Sequence, residues 1–367
     1  MKLKTKIIVV LFIFIVVGTI SSAEVKAIEI GGEIEVGGGL SYNDNLRTNF
    51  YGQGEFELYL PESSAVEPRL VFQTSLANQG IDTDIKYMYL RRRIDGNQLT
   101  VGRQPVSWSY GAMINLLDYG LGIDGLAEQS ARPDIDGLRY QYSLGDGRNL
   151  QLVTSFPELS GVELDGLGYG ARLRLPESSY DLSFNTTYQP LGDDNLLRAG
   201  STYNMDIGEL GTYGSLAYFH LNEELDDIML QLGMDYSWIV GGYNGYGGRQ
   251  LILQAEYFRF LKGDLTAGHI AALELGGVKD DGAGIGAESG LSLGSDLLTA
   301  NLSTSLDYFS DIGILLMTET KDWELALAPY YTSELGGGLE MRLDGMLSRD
   351  SEGDFNPGIS SSLSYYF

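Results

Sequence analysis

Charged side chains in this sequence recur at every second position of otherwise apolar segments. Glu33 and Glu35 are separated by one residue, and so are Arg172 and Arg174. Side chains at positions i and i+2 of a β-strand point to the same face, so each pair presents two like charges to one side of a sheet. We expect rows of this kind to act through their charge rather than by making or breaking bonds. On the inner wall of a barrel they attract and select ions and polar solutes.

Groups that could carry out covalent chemistry are scarce. The chain has no cysteine, and its two histidines are His220 and His269. Thiolate metal sites, iron–sulfur clusters and cysteine nucleophiles are therefore excluded, as are most histidine-based metal sites. A barrel-type lipid hydrolase that pairs one histidine with a serine is the third functional alternative, although neither histidine lies in a recognisable motif. The net charge of −26 argues against a nucleic-acid partner, whose binding site would have to be basic.

One acidic segment has the residue types of a cation site. Asp350, Glu352 and Asp354 alternate with small or polar residues near the end of the chain. Carboxylate oxygens are the ligands that Ca²⁺ and Mg²⁺ prefer. Solvated turn residues are the alternative interpretation, and no other cofactor is expected.

Alternating apolar and polar residues indicate β-strands along most of the chain. The apolar positions of Ile228–Trp238 and Leu167–Leu175 occupy one face, and polar or small residues occupy the other. About twenty such segments follow one another, with short connections such as Asp95–Asn97 and no intervening helical pattern. A soluble β-sandwich also alternates, but this uninterrupted series favours an all-β fold. We predict a transmembrane antiparallel up-and-down β-barrel with an even number of strands, about 16–20.

The N-terminal segment has the pattern of an export signal. Three lysines within the first six residues precede the apolar run Ile7–Val17, and small residues follow. We therefore expect residues 1–27 to be a cleaved signal peptide, since the apolar run is shorter than a membrane-spanning helix. Removing residues 1–27 takes away four lysines and one glutamate, which leaves a net charge of −29. Residues 28–367 would then form a single barrel.

The last residues carry the most specific signal. Leu363, Tyr365 and the terminal Phe367 fall on one face of a predicted strand. This arrangement resembles the closing strand of Gram-negative outer-membrane β-barrels, which the barrel-assembly machinery recognises. The resemblance implies insertion into the lipid of the bacterial outer membrane.

A second resemblance lies in the segment Leu99–Gly111. It contains Gly102-Arg103-Gln104, followed after two residues by Ser107-Trp108, and is similar to an element of porin-like and alginate-export-like barrels. The resemblance implies an outer-membrane β-barrel porin but does not identify a substrate. A homotrimer is compatible with it.

Alternation also predicts which charges face the lumen. A basic sector falls on the middle strands, and an acidic sector falls on the first two strands and on later ones. The predicted basic residues are Arg139, Arg172, Arg174 and Arg198, and the predicted acidic residues include Glu29, Glu33, Glu35, Glu55, Glu57, Asp235 and Glu256. A transverse electric field across a water-filled lumen would follow.

The longest segment without alternation covers about residues 105–135 and is the third outer loop of the predicted barrel. In sixteen-stranded porins, which the chain resembles in loop order, the third loop folds into the lumen and narrows it. A solvated surface loop is the alternative. The acidic residues that this loop would bring to a constriction are Asp118, Asp124, Glu128 and Asp134.

These patterns together predict a channel. A barrel of sixteen or more strands is too wide to be filled by its own side chains, so we expect passive diffusion of small hydrophilic solutes and ions. The excess of carboxylates predicts a mild preference for cations. The main alternative is a structural or adhesive outer-membrane barrel that does not conduct.

Overall fold

The structure is a computed structural model, and its described residues form β-strands joined by turns and loops. No helix in the described part of the chain is long and apolar enough to cross a membrane. The described residues are 29–43, 45–60, 66–77, 80–111, 114–115, 117, 122–123, 135–156, 166–191, 194–221, 225–241, 248–263, 265, 295–321, 324–349 and 353–367.

Eighteen of the twenty strands belong to one sheet, and the other two, β6 and β7, form a separate short pair. The strands are β1 (Glu29–Asn43), β2 (Asn45–Tyr59), β3 (Val66–Ala77), β4 (Gly80–Ile94), β5 (Asn97–Gln104), β6 (Ile114–Asn115), β7 (Gly122–Ile123), β8 (Ile135–Gly145), β9 (Arg148–Ser155), β10 (Gly168–Pro176), β11 (Tyr180–Leu191), β12 (Asp194–Ile207), β13 (Leu210–His220), β14 (Asp226–Val240), β15 (Arg249–Phe260), β16 (Asp296–Ser305), β17 (Ser310–Glu319), β18 (Glu324–Gly336), β19 (Leu339–Arg349) and β20 (Phe355–Tyr366).

The sheet closes on itself. Each strand pairs antiparallel with the next barrel strand along the chain, and β5 pairs with β8 across the long loop. The first and last strands then join, from Glu33 opposite Tyr366 to Ser41 opposite Gly358. The predicted antiparallel up-and-down barrel with an even strand number is confirmed, with eighteen strands.

Strand alternation separates an apolar outer face from a polar inner face. On β1, Ile30, Ile34 and Val36 are exposed, whereas Glu35 on the opposite face is buried. A wall of exposed large apolar side chains is unfavourable in water, but it matches the lipid-facing band of a membrane barrel. The inner face therefore carries the polar chemistry.

The two ends of the barrel differ in their connections. At the end that contains the chain termini, called here the terminal end, two-residue turns join β4 to β5 and β8 to β9. Asp95 and Gly96 both have positive φ angles (48° and 82°), as do Asp146 and Gly147 (52° and 76°), which is the geometry of type I′ hairpin turns. The long connections 105–134 and 261–295 lie at the other end, called the loop end.

Candidate functional site in the barrel lumen

The four predicted arginines lie on the inner face of β8–β12 and are largely bound to neighbouring side chains. Arg198 is 1% exposed, and its Nε donates to Thr187 Oγ1 over 3.0 Å. Arg174 Nε donates to Asp181 Oδ2 over 2.6 Å. These contacts fix the guanidinium groups against the wall. The residues in this sector are Arg139, Arg172, Arg174 and Arg198.

The predicted carboxylates of β1 and β2 share the inner face, and some of them are bound by neighbouring side chains. Glu35 accepts hydrogen bonds from Tyr51 (2.8 Å) and Gln53 (2.7 Å). Glu33 lies directly opposite Glu55 in the β1–β2 pair. Glu29, at the start of β1, is exposed and lies opposite Tyr59. The terminal end of this wall therefore combines bound and water-accessible carboxylates.

The sequence interpretation missed inward-facing cations on β3 and β4, which bind carboxylates of β2 and β3. Arg69 Nε lies 2.8 Å from Glu57, and Lys86 Nζ contacts Glu55. Arg91 Nη1 lies 2.7 Å from Glu67. The inward orientation of Lys86 could not be predicted from alternation, because a β-bulge shifts the register between β3 and β4 at this position. The orientation of Arg91 could not be predicted either, because three consecutive arginines occupy both faces of the strand.

The remaining predicted carboxylates lie on the opposite wall. Glu256 is 1% exposed and accepts a hydrogen bond of 2.9 Å from Tyr213. The Tyr213 ring lies over Gly233, where a Cβ would be only 2.0 Å from it, so glycine gives the ring its place against the wall. Asp235 is exposed and lies opposite Gln254.

The first part of the long loop runs along the inner wall of the basic sector. Trp108 is 1% exposed, and its Nε1 donates to Gln151 on β9 over 2.9 Å. Arg172 Nη2 donates to the Tyr110 hydroxyl over 3.0 Å, with its guanidinium 5.6 Å from the ring centre. Burial raises the pKa of Tyr110, so the phenol stays neutral at physiological pH. Because Gln151 and Arg172 face the lumen, residues 108–110 lie inside the barrel.

The same loop reaches an apolar patch on the far wall. We define the apolar patch as the buried inward-facing side chains at the loop end of β12–β18. Leu117 of the long loop packs into it and is 2% exposed, and Leu265 from the β15–β16 connection packs into it as well. The wall residues of the patch are Leu196, Ala217, Phe219, Met229, Phe258, Phe260, Leu297, Met317 and Ala326.

A buried carboxylate fixes the start of the second long connection. Asp227, fully buried, accepts backbone N–H bonds from Ile228 (2.7 Å), Lys262 (2.8 Å) and Gly263 (3.0 Å). The bonds from Lys262 and Gly263 hold the first residues of the connection against the start of β14. Both long connections are therefore attached to the same region of the lumen wall.

The sequence element Gly102-Arg103-Gln104 lies where the long loop leaves the wall. Gly102 has a φ of 118°, which favours glycine, and a Cβ there would lie 2.1 Å from the Met88 carbonyl oxygen. Arg103 binds Asp136 through two nitrogens, at 3.1 and 2.9 Å, and donates to the Ile85 carbonyl over 2.8 Å. Arg103 thus connects β4, β5 and β8 at the point where β5 ends.

Several predicted residues lie outside the described part of the chain. They include the four acidic residues of the proposed constriction and two of the three predicted cation ligands. Asp354 is described and exposed, and no group of three metal-binding side chains occurs among the described residues. The undescribed residues are Asp118, Asp124, Glu128, Asp134, Asp350 and Glu352.

The predicted assembly residues close the barrel. The backbone of Phe367 exchanges two hydrogen bonds of 3.1 Å with Gly32, and its ring lies 6.1 Å from that of Tyr365. Leu363 lies opposite Val36 of β1. All three side chains belong to the exposed outer face.

A closed eighteen-stranded barrel with an apolar exterior and a charged interior has the fold of an outer-membrane porin. Solved structures share this fold at low sequence identity. Pseudomonas aeruginosa OccK11 (OpdR) aligns with a TM-score of 0.60 and 11% identity, covering 93% of this chain and 96% of that one.

Two further porin structures align over similar lengths. Pseudomonas aeruginosa OpdL has a TM-score of 0.58 and 10% identity, covering 93% of this chain and 98% of that one. Acinetobacter baumannii OccAB1 has a TM-score of 0.57 and 9% identity, covering 94% and 98%. No protein-family model and no curated protein matches the chain.

Proposed function

We propose that this protein is a passive outer-membrane channel for small hydrophilic solutes and ions. The observation that carries the proposal is the inner wall, on which charged residues recur on many strands, from Glu33 on β1 to Asp344 on β19. An arginine on the lipid side of a barrel costs about 2–4 kcal/mol at the midplane, which explains why the charges face inward. Inside the barrel these charges need water or counter-charges, because an unpaired buried charge is costly. Barrels of this width leave a channel unless they are plugged.

Selectivity would come from the unequal halves of the wall. The inner faces of β3–β12 carry Arg69, Arg91 and the arginine sector. On the described part of β13–β20, the single inward-facing cation is Arg342, which is bonded to Asp344. We propose that carboxylates prevail in this second half and give the pore a mild cation preference.

The long loop would set the width of the channel. We propose that residues 105–135 narrow the lumen, because residues 108–110 contact one wall and Leu117 packs into the patch on the other. The acidic residues Asp118, Asp124, Glu128 and Asp134 would then add negative charge beside the path.

We propose the following biogenesis for the chain. Residues 1–27 are removed on export, and the outer face that ends in Phe367 directs insertion by the barrel-assembly machinery. Solute passage needs no cofactor. If Asp350, Glu352 and Asp354 bind a Ca²⁺ or Mg²⁺ ion, it lies in an outer loop and takes no part in solute passage. Homotrimers are the proposed assembly.

The competing functions have specific weaknesses. A non-conducting adhesive barrel gives no role to two long loops attached inside the lumen. For a lipid hydrolase, His220 would need a serine beside it, but its cross-strand neighbours are Leu197 and Asp226.

Liposome swelling tests the proposal. Purified protein is reconstituted into vesicles, which are then diluted into isotonic solutions of arabinose, glucose and a disaccharide. We expect swelling that becomes slower as the solute becomes larger, and none in vesicles that contain heat-unfolded protein. Equal swelling rates in the two preparations would refute a channel.

A further inference from the structure

Strand β5 is too short to cross a membrane. It has eight residues, whereas its neighbour β4 has 15, and a membrane-spanning strand needs about 9–11 residues. Arg103, opposite Met88, is the last β5 residue paired with β4, so this pairing does not extend to residues 80–87 of β4. Lipid cannot hydrogen-bond to backbone groups, and those that lose a strand partner within the bilayer must be satisfied by other parts of the protein.

Arg103 supplies hydrogen-bond donors at this break in the pairing. Its Nη1 donates over 2.8 Å to the carbonyl of Ile85, which lies beyond the last β4 residue paired with β5. Its Nε and Nη2 bind the two carboxylate oxygens of Asp136, at the start of β8, over 3.1 and 2.9 Å. A guanidinium group offers five N–H donors in a fixed plane. One side chain therefore bridges β4 and β8 where the strand between them ends.

Gln104 covers the end of β5 itself. This side chain is fully buried, and its nitrogen lies 3.3 Å from the carbonyl oxygen of Thr100 and 3.4 Å from those of Gly102 and Gly137. The next residue is Pro105, which has no N–H group with which to continue the ladder. The last carbonyl groups of β5 thus lie beside a side-chain amide.

The chain continues from this point on the lumenal side of the wall. Arg139, an inward-facing residue of β8, donates to the Pro105 carbonyl over 3.2 Å. Val106 and Trp108 are then buried against the inner wall. The end of the β4–β5 pairing and the entry of the long loop into the lumen therefore occur at one place.

We propose that Arg103 is the positioning residue of the long loop. By bridging β4 and β8 it replaces the missing continuation of β5, and it holds the chain where it turns into the lumen. Asp136 fixes the guanidinium group, and Gln104 protects the end of the strand. The element Gly102-Arg103-Gln104 lets a strand leave a membrane wall. The inference rests on the proposed function only where it concerns current through the pore.

Fluorescence of Trp108 tests the proposal without any need for conduction. The chain has three tryptophans, so a parent protein that carries Trp238→Phe and Trp323→Phe reports on Trp108 alone. We expect weak quenching by acrylamide in the folded parent, because Trp108 is 1% exposed. Arg103→Lys keeps the charge but has a single ammonium group in place of the planar fork. It should raise the quenching constant several-fold, and an unchanged constant in the folded variant would overturn the proposal.

A charge exchange separates the bridging role from a simple ion pair. Arg103→Asp combined with Asp136→Arg keeps an ion pair but removes the donor to the Ile85 carbonyl, and it should be quenched as strongly as Arg103→Lys. A return to the parent value would show that the ion pair alone suffices and would overturn the bridging role. If Arg103→Lys does not fold, Asp136→Asn takes its place, with the same expected rise and the same contradicting result.

The matched control is Arg148→Lys. Arg148 donates to Glu177 over 2.6 Å in an exposed ion pair at the terminal end, away from the long loop. We expect the quenching of Trp108 to equal that of the parent. An equal rise in Arg148→Lys and Arg103→Lys would indicate a general loosening of the barrel and would contradict a specific role for Arg103.

Planar-bilayer recording of the same proteins relates the position of the loop to the pore. We expect a larger single-channel conductance in Arg103→Lys than in the parent, because the loop is no longer held, and the parent conductance in Arg148→Lys. Raised quenching in a protein that carries no current would support the positioning role and contradict the channel. Current with unchanged quenching would contradict the positioning role alone.

Discussion

The two halves of the lumen wall hold the same loop by different combinations of contacts. The wall of β8–β10 binds residues 105–110 through hydrogen bonds, whereas the wall of β12–β18 buries Leu117 in the apolar patch. A hydrogen bond exchanged with water contributes about 0.5–1.5 kcal/mol, and a fully buried large apolar side chain contributes about 1.5–3 kcal/mol. Val106 and Trp108 are also buried against Ile135 and Val153 of the first wall, so that wall holds the loop by hydrogen bonds and apolar packing together, whereas the second wall holds Leu117 by apolar packing.

Truncating the apolar patch should have the largest effect. Phe258 is fully buried and packs edge-on against Phe260, with ring centres 5.1 Å apart. We expect Phe258→Ala to lower the free energy of unfolding by about 3–5 kcal/mol, measured by urea titration of the refolded barrel. Phe309→Ala, in an exposed turn at the terminal end, is the control and should cost much less. Similar losses in both variants would show that the patch contributes no special packing.

Removing one hydrogen bond on the wall of β8–β10 should have a smaller effect. Tyr110→Phe keeps the ring beside Arg172 but deletes the hydroxyl that accepts its hydrogen bond. We expect a loss of about 1.5 kcal/mol, the lower end for bonds to charged groups, and increased noise in the open-channel current. Tyr188→Phe, which removes an exposed bond to Asn195, is the matched control. Unchanged noise in Tyr110→Phe would indicate that this contact does not position the loop.

The arginines on the inner faces of β3–β12 should affect selectivity more than stability. Replacing both Arg172 and Arg174 by Ser removes two lumenal cations and releases the Asp181 carboxylate from its partner. We expect the reversal potential in a potassium chloride gradient to shift toward the value for cations. Arg259→Ser removes a cation from the outer face and should leave the potential unchanged. If both variants gave the same potential, the lumenal position of the arginine pair would be wrong for the conducting state.

Removing a single carboxylate from the inner faces of β13–β20 should produce the smallest change in selectivity. Asp235 is exposed on the inner face of β14, where solvent screens its charge. We expect Asp235→Asn to shift the reversal potential slightly in the opposite direction, away from cations, and more at low salt than at high salt. A shift toward cations would contradict the proposal that the carboxylates of β13–β20 produce the cation preference.

The fold could be predicted from the sequence because period-two alternation depends on the membrane itself. Lipid requires apolar residues on one face along every strand, and the inner face tolerates charge, so the faces of Glu35, Arg198 and Glu256 follow from spacing alone. The C-terminal strand was equally predictable, since Phe367 and Tyr365 share the lipid-facing row.

The contents of the lumen could not be predicted in the same way. At the loop end both strand faces are apolar, as at Tyr257-Phe258 and Leu297-Leu298, because the inner face there meets loop residues instead of water. Two consecutive apolar residues break the alternation, but the sequence alone does not show that a loop covers the inner one. Pairing partners such as Lys86 and Glu55 depend on a bulge that spacing does not reveal.

The central claim is that the lumen conducts, and planar-bilayer recording of the purified protein tests it most directly. In symmetric potassium chloride we predict discrete insertion steps of uniform size, with a reversal potential in a salt gradient that indicates mild cation preference. A correctly folded barrel that inserts but gives no current steps would contradict the channel and leave a structural or adhesive barrel as the better account.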